Sequence, residues 1–120
     1  MRLVVQAVEK AEVWIHDTDE KNTIGEGILI YFGVHKSDIA DYQIKIEKIV
    51  SKIGDMRWLK NDEHRLDATL RDIDGQVMVI SNFTLYANND KGTKMSFSDS
   101  APAAEAAVVY DLFVEKLRTA

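Results

Sequence analysis

The stretch GQVMVISNFTLYA, residues 75–87, combines a strong strand pattern with the main candidates for chemistry. Its apolar part, residues 77–80, is uninterrupted and bounded by turn residues, which predicts a strand covered on both faces in a sheet interior. Ser81, Asn82 and Thr84 then fall at the carboxyl end of that strand. Because a sheet fixes the backbone while the strand end is open to solvent, these are candidate site residues. The alternative is a strand end capped by hydrogen bonds from side chains to the backbone.

Apolar periodicity outward from this stretch predicts more strands and two amphipathic helices. The other strands cover residues 2–8, 11–16, 28–34, 56–59 and 66–70. The first helix is predicted to begin with Ser37 or Asp38 as its cap and to end at Gly54. The second begins near Ser100 with Pro102 in its first turn. Two polar tracts are predicted to be a turn and a loop, residues 17–22 and 88–92.

These elements predict one domain, residues 1–120, of the α+β class. We expect a curved, mostly antiparallel β-sheet or partial barrel with two amphipathic helices, in which the strand of residues 77–80 is central. Gly33 lies inside an apolar run, which indicates a bulge or a close approach of another backbone.

Composition narrows the class of protein. The 120 residues are 46% hydrophobic and contain no linker-like stretch, as expected for a single core. No cysteine is present, which excludes disulfides and thiolate metal sites and fits a reducing compartment. No segment approaches the length of about 20 apolar residues that crosses a bilayer. We therefore expect a soluble, cytoplasmic protein without a membrane partner.

The net charge of −5 argues against a broad electrostatic grip on nucleic acid. An RNA partner would have to be held locally, by Lys91 and Lys94 or by Arg57 and Lys60 on either side of Trp58. The alternative is that both clusters are ordinary solvated surface charge.

The segment Ser81-Asn82-Phe83-Thr84-Leu85 resembles the Ser-Gln-Phe-Thr-Leu signature of the D-aminoacyl-tRNA deacylases, also called D-tyrosyl-tRNA deacylases. Three further blocks occur in the family's order. Residues 2–8 resemble its amino-terminal strand, residues 27–34 its second apolar strand, and residues 91–98 its Lys-Gly-x-x-Pro-Ser-Phe loop. The four blocks span nearly the whole chain, which is therefore identified as a member of this family.

The resemblance implies hydrolysis of the ester of D-aminoacyl-tRNA by a homodimer that uses no metal and no cofactor. It implies that the main chain positions the substrate while a hydroxyl of the terminal ribose assists water. The implied catalytic segment is Ser81, Asn82, Phe83 and Thr84, in which Phe83 orients the aminoacyl-adenosine and Ser81 and Thr84 shape the pocket floor. The implied substrate-binding residues are Gln6, Leu85, Tyr86, Lys91, Lys94, Ser96 and Phe97. For Tyr86 and Phe97, packing in the core is the alternative.

Residue chemistry leaves a second mechanism open. The backbone of Phe83 and Thr84 could supply oxyanion donors, and the Thr84 hydroxyl could itself attack if a base activated it. No His, Asp or Glu lies within residues 81–87. The three histidines are spread over separate segments without metal-ligand spacing and are expected at the surface: His16, His35 and His64.

The sequence departs from the family pattern in four places. Asn82 stands where the family has Gln, Ala7 where it has Arg, and Met95 where it has Pro. The family's two last strands, with a Gly-Pro motif that excludes L-aminoacyl groups in the partner's pocket, have no counterpart before Ala120, and Pro102 is the only proline.

Three alternatives follow from that last departure. One is a non-catalytic dimeric relative that binds aminoacyl or nucleotide ends, the second is a deacylase with relaxed stereochemistry, and the third is a truncated chain. A sheet edge left unpaired by the missing strands would itself favour association with a second copy.

Overall fold

The protein is a single α+β domain. In the computed structural model, which describes residues 1–120, the elements are β1 (Arg2–Val8), β2 (Ala11–Ile15), β3 (Glu20–Ile24), β4 (Gly27–Gly33), a 3₁₀ helix (Lys36–Ala40), α1 (Tyr42–Asp55), β5 (Leu59–Lys60), β6 (Leu66–Ala68), β7 (Gln76–Ser81), a second 3₁₀ helix (Phe83–Tyr86) and α2 (Ala103–Thr119). Neither helix is long and apolar enough to cross a membrane.

The main sheet has three strands in the order β1-β4-β7. β1 runs antiparallel to β4, and β4 runs parallel to β7. Two separate antiparallel pairs, β2 with β3 and β5 with β6, complete the strands. Antiparallel pairing thus predominates, as expected, but the sheets are open and no barrel closes.

The central strand is β4, and the prediction that residues 77–80 form a sheet interior was wrong in this respect. β7 pairs only with β4 and lies at the sheet edge. Its outer edge is partly satisfied, because the Tyr110 hydroxyl donates a 3.0 Å hydrogen bond to the Val79 carbonyl. Met78 is buried and Val79 is half-buried. An apolar run therefore indicates that both faces of a strand are covered. It does not indicate that the strand has a neighbouring strand on each edge.

The core lies between β4 and the two helices. Ile28, Ile30 and Phe32 alternate along β4 and are fully or almost fully buried. The Phe32 ring stacks on Phe113 of α2 with centroids 4.3 Å apart, and Ile46 of α1 packs in the same cluster. Burial of this stripe holds both helices on one face of the sheet.

Several element boundaries differ from the predictions. β3 begins inside the polar tract predicted to be a turn, at Glu20, because pairing with β2 satisfies its backbone even though only Ile24 of its five residues is partly buried. The predicted start of the first helix is instead a 3₁₀ helix capped by His35. The second helix begins after Pro102, which serves as its N-cap. The strand predicted at residues 56–59 shortens to Leu59–Lys60.

Candidate active site

The motif segment leaves the sheet at the end of β7 and turns at once into the 3₁₀ helix Phe83–Tyr86. The Asn82 N–H donates a 2.8 Å hydrogen bond to the Phe32 carbonyl, which ties the turn to the carboxyl end of β4. Gly33 lies directly beneath: a Cβ there would be 3.0 Å from the Leu85 Cβ and 3.1 Å from the Asn82 carbonyl oxygen. The close backbone approach predicted at Gly33 is confirmed, and it places this helix against the sheet end.

Asn82 uses its side chain within the turn. Its Oδ1 accepts a hydrogen bond from the Thr84 N–H at 3.0 Å and another from the Thr84 hydroxyl. This is the capping arrangement that polar residues at strand ends favour. The Thr84 N–H is therefore occupied, whereas the Phe83 N–H, at the first position of the 3₁₀ helix, has no acceptor within that helix. Of the two predicted oxyanion donors, only Phe83 is available.

An open cleft of about 520 Å³ adjoins this turn, and we call it the Phe83 cleft. The Phe83 ring, 60% exposed, meets the Phe97 ring edge-on with centroids 5.2 Å apart. Small side chains from the start of α2 form the opposite wall. The cleft is lined by Ser81, Phe83, Phe97, Ser100, Ala101, Pro102, Ala103, Ala106 and Ala107. None of these side chains ionises, so the cleft itself contains no general base.

The other end of the 3₁₀ helix is held by β1. The Arg2 guanidinium donates a 2.6 Å hydrogen bond to the Leu85 carbonyl and lies 4.5 Å from the centre of the Tyr86 ring. His35 meets the same ring edge-on at 5.2 Å. Burial, and then the charge of Asp38, raises the pKa of the Tyr86 hydroxyl, so Tyr86 stays neutral and is not a candidate base. Tyr86 and Leu85 thus support the helix and do not line the Phe83 cleft.

The remaining predicted binding residues are not gathered at the cleft. Lys91 and Lys94 are exposed in a loop that is closed by backbone hydrogen bonds between Asn88 and Ser96. The Ser96 hydroxyl donates to that of Ser98 at 3.2 Å. Gln6 is exposed on β1, opposite Leu29 and four residues from Arg2. Phe97 alone of this group lines the cleft.

Sequence reasoning missed Ser100 and Arg2, which both bind carbonyls of the 3₁₀ helix. The sequence indicates Ser100 only as a helix start, and nothing in its neighbourhood signals a contact seventeen residues away in sequence. Arg2 lies at the edge of an apolar strand, where an exposed cation is ordinary.

A buried ion cluster beneath His35 was also missed, since Asp38 reads as a helix cap. Asp38 is 2% exposed. It accepts hydrogen bonds from the terminal ammonium of Met1 at 2.6 Å, from Lys45 at 2.7 Å and from the His35 N–H at 2.9 Å. Burial by itself would raise the pKa of Asp38, but these donors prevail and hold it below the ordinary range.

Comparison with known proteins identifies the family. Residues 4–120 match the family described as D-Tyr-tRNA(Tyr) deacylase. A D-aminoacyl-tRNA deacylase of Chlorobaculum tepidum is 37% identical over 118 residues, covering 98% of this chain and 76% of that protein. The chain therefore belongs to the D-Tyr-tRNA(Tyr) deacylase family, and the resemblance drawn from four short blocks is confirmed.

Solved structures support the fold assignment. The structure of a c-Myc DNA unwinding element binding protein superposes with a TM-score of 0.85 at 30% identity, covering 99% of this chain and 77% of that one. A probable eukaryotic D-amino acid tRNA deacylase superposes with a TM-score of 0.75 at 16% identity, over 98% of this chain and 66% of that one. The second likeness concerns the fold alone.

Proposed function

We propose that this protein hydrolyses the ester bond between a D-amino acid and the terminal ribose of tRNA, releasing the free amino acid and tRNA. Membership of the deacylase family supports the reaction class. The observation that carries the proposal is the motif turn: its exposed Phe83 ring lines an open, uncharged cleft, and the Phe83 N–H begins the 3₁₀ helix that forms the turn.

The chemistry follows from what the turn offers. Water adds to the ester carbonyl carbon, the carbonyl oxygen becomes an oxyanion, and the bond to the ribose oxygen then breaks with transfer of a proton to that oxygen. The Phe83 N–H, which has no acceptor within its own helix, is the proposed donor to the oxyanion, and one such donor contributes roughly 10²–10³ in rate. The family resemblance implies that a hydroxyl of the substrate's own ribose assists water, and a cleft without an ionisable side chain is compatible with this. Ser81 shapes the floor, and Asn82 and Thr84 hold the turn.

Binding of the tRNA is proposed to be local. Lys91 and Lys94 extend from the loop that ends at Phe97, so they are suited to phosphates near the acceptor end, while the net charge of −5 disfavours a wider contact. A cytosolic location follows from such a substrate.

The protein is further proposed to act as a homodimer through the sheet face that the helices leave open. Val4 lies on this face, 49% exposed, opposite Tyr31, and Tyr31 is opposite Ile80 in the register. Gly33 belongs to the same face, and Leu85 covers it, so the motif turn lies at the rim of the face. A second copy docked there would lie next to the site, and Gln6 would be at the interface.

A release assay tests the reaction, and light scattering tests the dimer. The purified protein is incubated with D-tyrosyl-, L-tyrosyl- and glycyl-tRNA in parallel. Release of the D-aminoacyl group above the blank supports the proposal, and equal release of all three would instead indicate a deacylase with relaxed stereochemistry. No release would leave a folded relative that binds aminoacyl ends. A mass of one chain for the wild type in solution would contradict the dimer, whereas a dimer that Val4→Asp converts to monomer supports it.

A further inference from the structure

A hydrogen bond links the motif turn to a segment far along the chain. The Ser100 hydroxyl donates to the Phe83 carbonyl at 2.8 Å. The contact lies in the wall of the Phe83 cleft, since both residues line it.

Backbone hydrogen bonds hold the chain on both sides of Ser100. On one side of it the Lys36 N–H donates to the Asp99 carbonyl at 2.9 Å, and on the other the Ala101 N–H donates to the Val34 carbonyl at 2.9 Å. Ala101 is 7% exposed and Val34 is 5% exposed. Residues 99–101 are thus bound to the chain that follows β4, and this fixes the position of the Ser100 hydroxyl relative to the sheet.

Together with Asn82, this contact holds one peptide group at both ends. The peptide between Phe83 and Thr84 has its carbonyl bound by Ser100 and its N–H bound by the Asn82 side chain. A peptide plane fixed in this way limits rotation at Phe83, because its ψ angle can no longer change freely. The direction of the Phe83 N–H and of the Phe83 ring then depends on Ser100.

We propose that Ser100 is a positioning residue that orients Phe83 for deacylation by holding the Phe83 carbonyl. The inference rests on the proposed function and adds a residue that the motif does not include. A misplacement of a reacting group by about 1 Å costs up to ~10²-fold in rate, so loosening of this peptide should appear in turnover.

Two substitutions and a control test this role in the full chain. Ser100→Ala removes the hydroxyl, Ser100→Thr keeps it, and Ser51→Ala removes an exposed hydroxyl on α1. With D-tyrosyl-tRNA as substrate, we expect Ser100→Ala to lower kcat about tenfold with KM changed by less than about twofold, the signature of an interaction made in the transition state. Ser100→Thr should regain most of that loss. Unchanged kcat in Ser100→Ala, or an equal loss in Ser100→Thr, would overturn the proposal.

A second measurement separates this inference from the proposed reaction. Amide resonances and hydrogen exchange of Phe83 and Thr84 are compared between the wild type and the same variants. Faster exchange of the Thr84 amide in Ser100→Ala, with the rest of the spectrum retained, is expected even if no tested tRNA is hydrolysed. Wild-type exchange and shifts at both amides in that variant would contradict a positioning role.

Discussion

The side-chain oxygen of Asn82 accepts both the backbone N–H and the hydroxyl of Thr84, the former at 3.0 Å. Both donors of Thr84, its N–H and its hydroxyl, are therefore bound within the turn. The amide oxygen that accepts them is too weak a base to activate the hydroxyl as a nucleophile. Within the motif, this leaves the Phe83 N–H as the proposed donor to developing charge. The relationship favours a main-chain mechanism over a side-chain nucleophile.

Thr84→Ala should retain most of the activity. The variant loses one hydrogen bond of the turn but keeps the Phe83 N–H and the Thr84 backbone contact to Asn82, so we expect kcat/KM to fall by less than about tenfold. The measurement is release of D-tyrosine from D-tyrosyl-tRNA. Activity at the level of the blank, in a variant whose thermal unfolding matches the wild type, would point to Thr84 as the nucleophile.

Gly33→Ala should disturb the site more than the fold. The new Cβ would be 3.0 Å from Leu85 and 3.1 Å from the Asn82 carbonyl, so the 3₁₀ helix must move by a few tenths of an ångström. We expect turnover to drop about tenfold and the free energy of unfolding to fall by about 1 kcal/mol.

Gly25→Ala is the matched control for this change. A Cβ at Gly25 would lie 3.5 Å from the end of the flexible Gln76 side chain, an ordinary contact. Its activity should equal that of the wild type. If both glycine variants lose turnover equally, displacement of the motif turn is not the cause.

The sequence predicted most of the secondary structure and the location of the motif turn, because apolar periodicity and capping are local signals. The close approach at Gly33 was predicted correctly, since glycine weakens a strand interior and is typical there of a bulge or a neighbouring backbone. The order of the strands could not be predicted, because covering of the strand faces, as at Met78, leaves the same pattern in a central strand and an edge strand.

The side-chain contacts that hold the motif turn could not be predicted either, because they join residues far apart in the sequence. Ser100 reaches Phe83 and Arg2 reaches Leu85 across seventeen and eighty-three residues, so no spacing rule connects them. Ser37 or Asp38 was predicted as the helix cap, whereas His35 is the cap, and the pairing of Asp38 with the Met1 ammonium depends on how β1 is placed beside the 3₁₀ helix. Such contacts are set by tertiary packing, and the local sequence around a polar residue at a turn does not predict them.

Asp38→Asn should destabilise the fold strongly. Asp38 is almost fully buried and accepts hydrogen bonds from three donors, so the neutral amide would leave the buried Met1 ammonium without a counter-charge and Lys45 with only the exposed Asp41. Breaking a buried pair of this kind costs about 3 kcal/mol. Asp41→Asn is the control, because Asp41 also pairs with Lys45 but is half exposed. Chemical denaturation of both variants checks the difference, and equal losses would show that burial of the Asp38 cluster is unimportant.

The lowered pKa of the Asp38 carboxyl predicts how the free energy of unfolding depends on pH. The pKa of Asp38 is lowered in the folded state, so its contribution is present above the unfolded value, about 3.9, and is lost as the pH falls through the lower folded value. The wild type should therefore lose stability below about pH 4 more steeply than Asp38→Asn. Unfolding curves between neutral and acid pH measure this slope, and parallel curves for the two proteins would contradict the assignment.

Reversal of charge in the loop should weaken tRNA binding. Lys91→Glu combined with Lys94→Glu is expected to raise KM for D-tyrosyl-tRNA by about tenfold at low salt, with a smaller effect as salt rises. The control reverses two exposed lysines on the far helix, Lys48 and Lys52, which should leave KM within about twofold. If the KM of the wild type did not change with salt, or if both double variants raised KM equally, this loop would not contact the tRNA.

The proposed reaction is tested by release of D-tyrosine from D-tyrosyl-tRNA by the purified wild-type chain, with L-tyrosyl-tRNA in parallel. We expect catalytic release of D-tyrosine, many turnovers per site, and much slower release of L-tyrosine. Release of D-tyrosine no faster than the uncatalysed rate, from a protein shown to be folded, would contradict it.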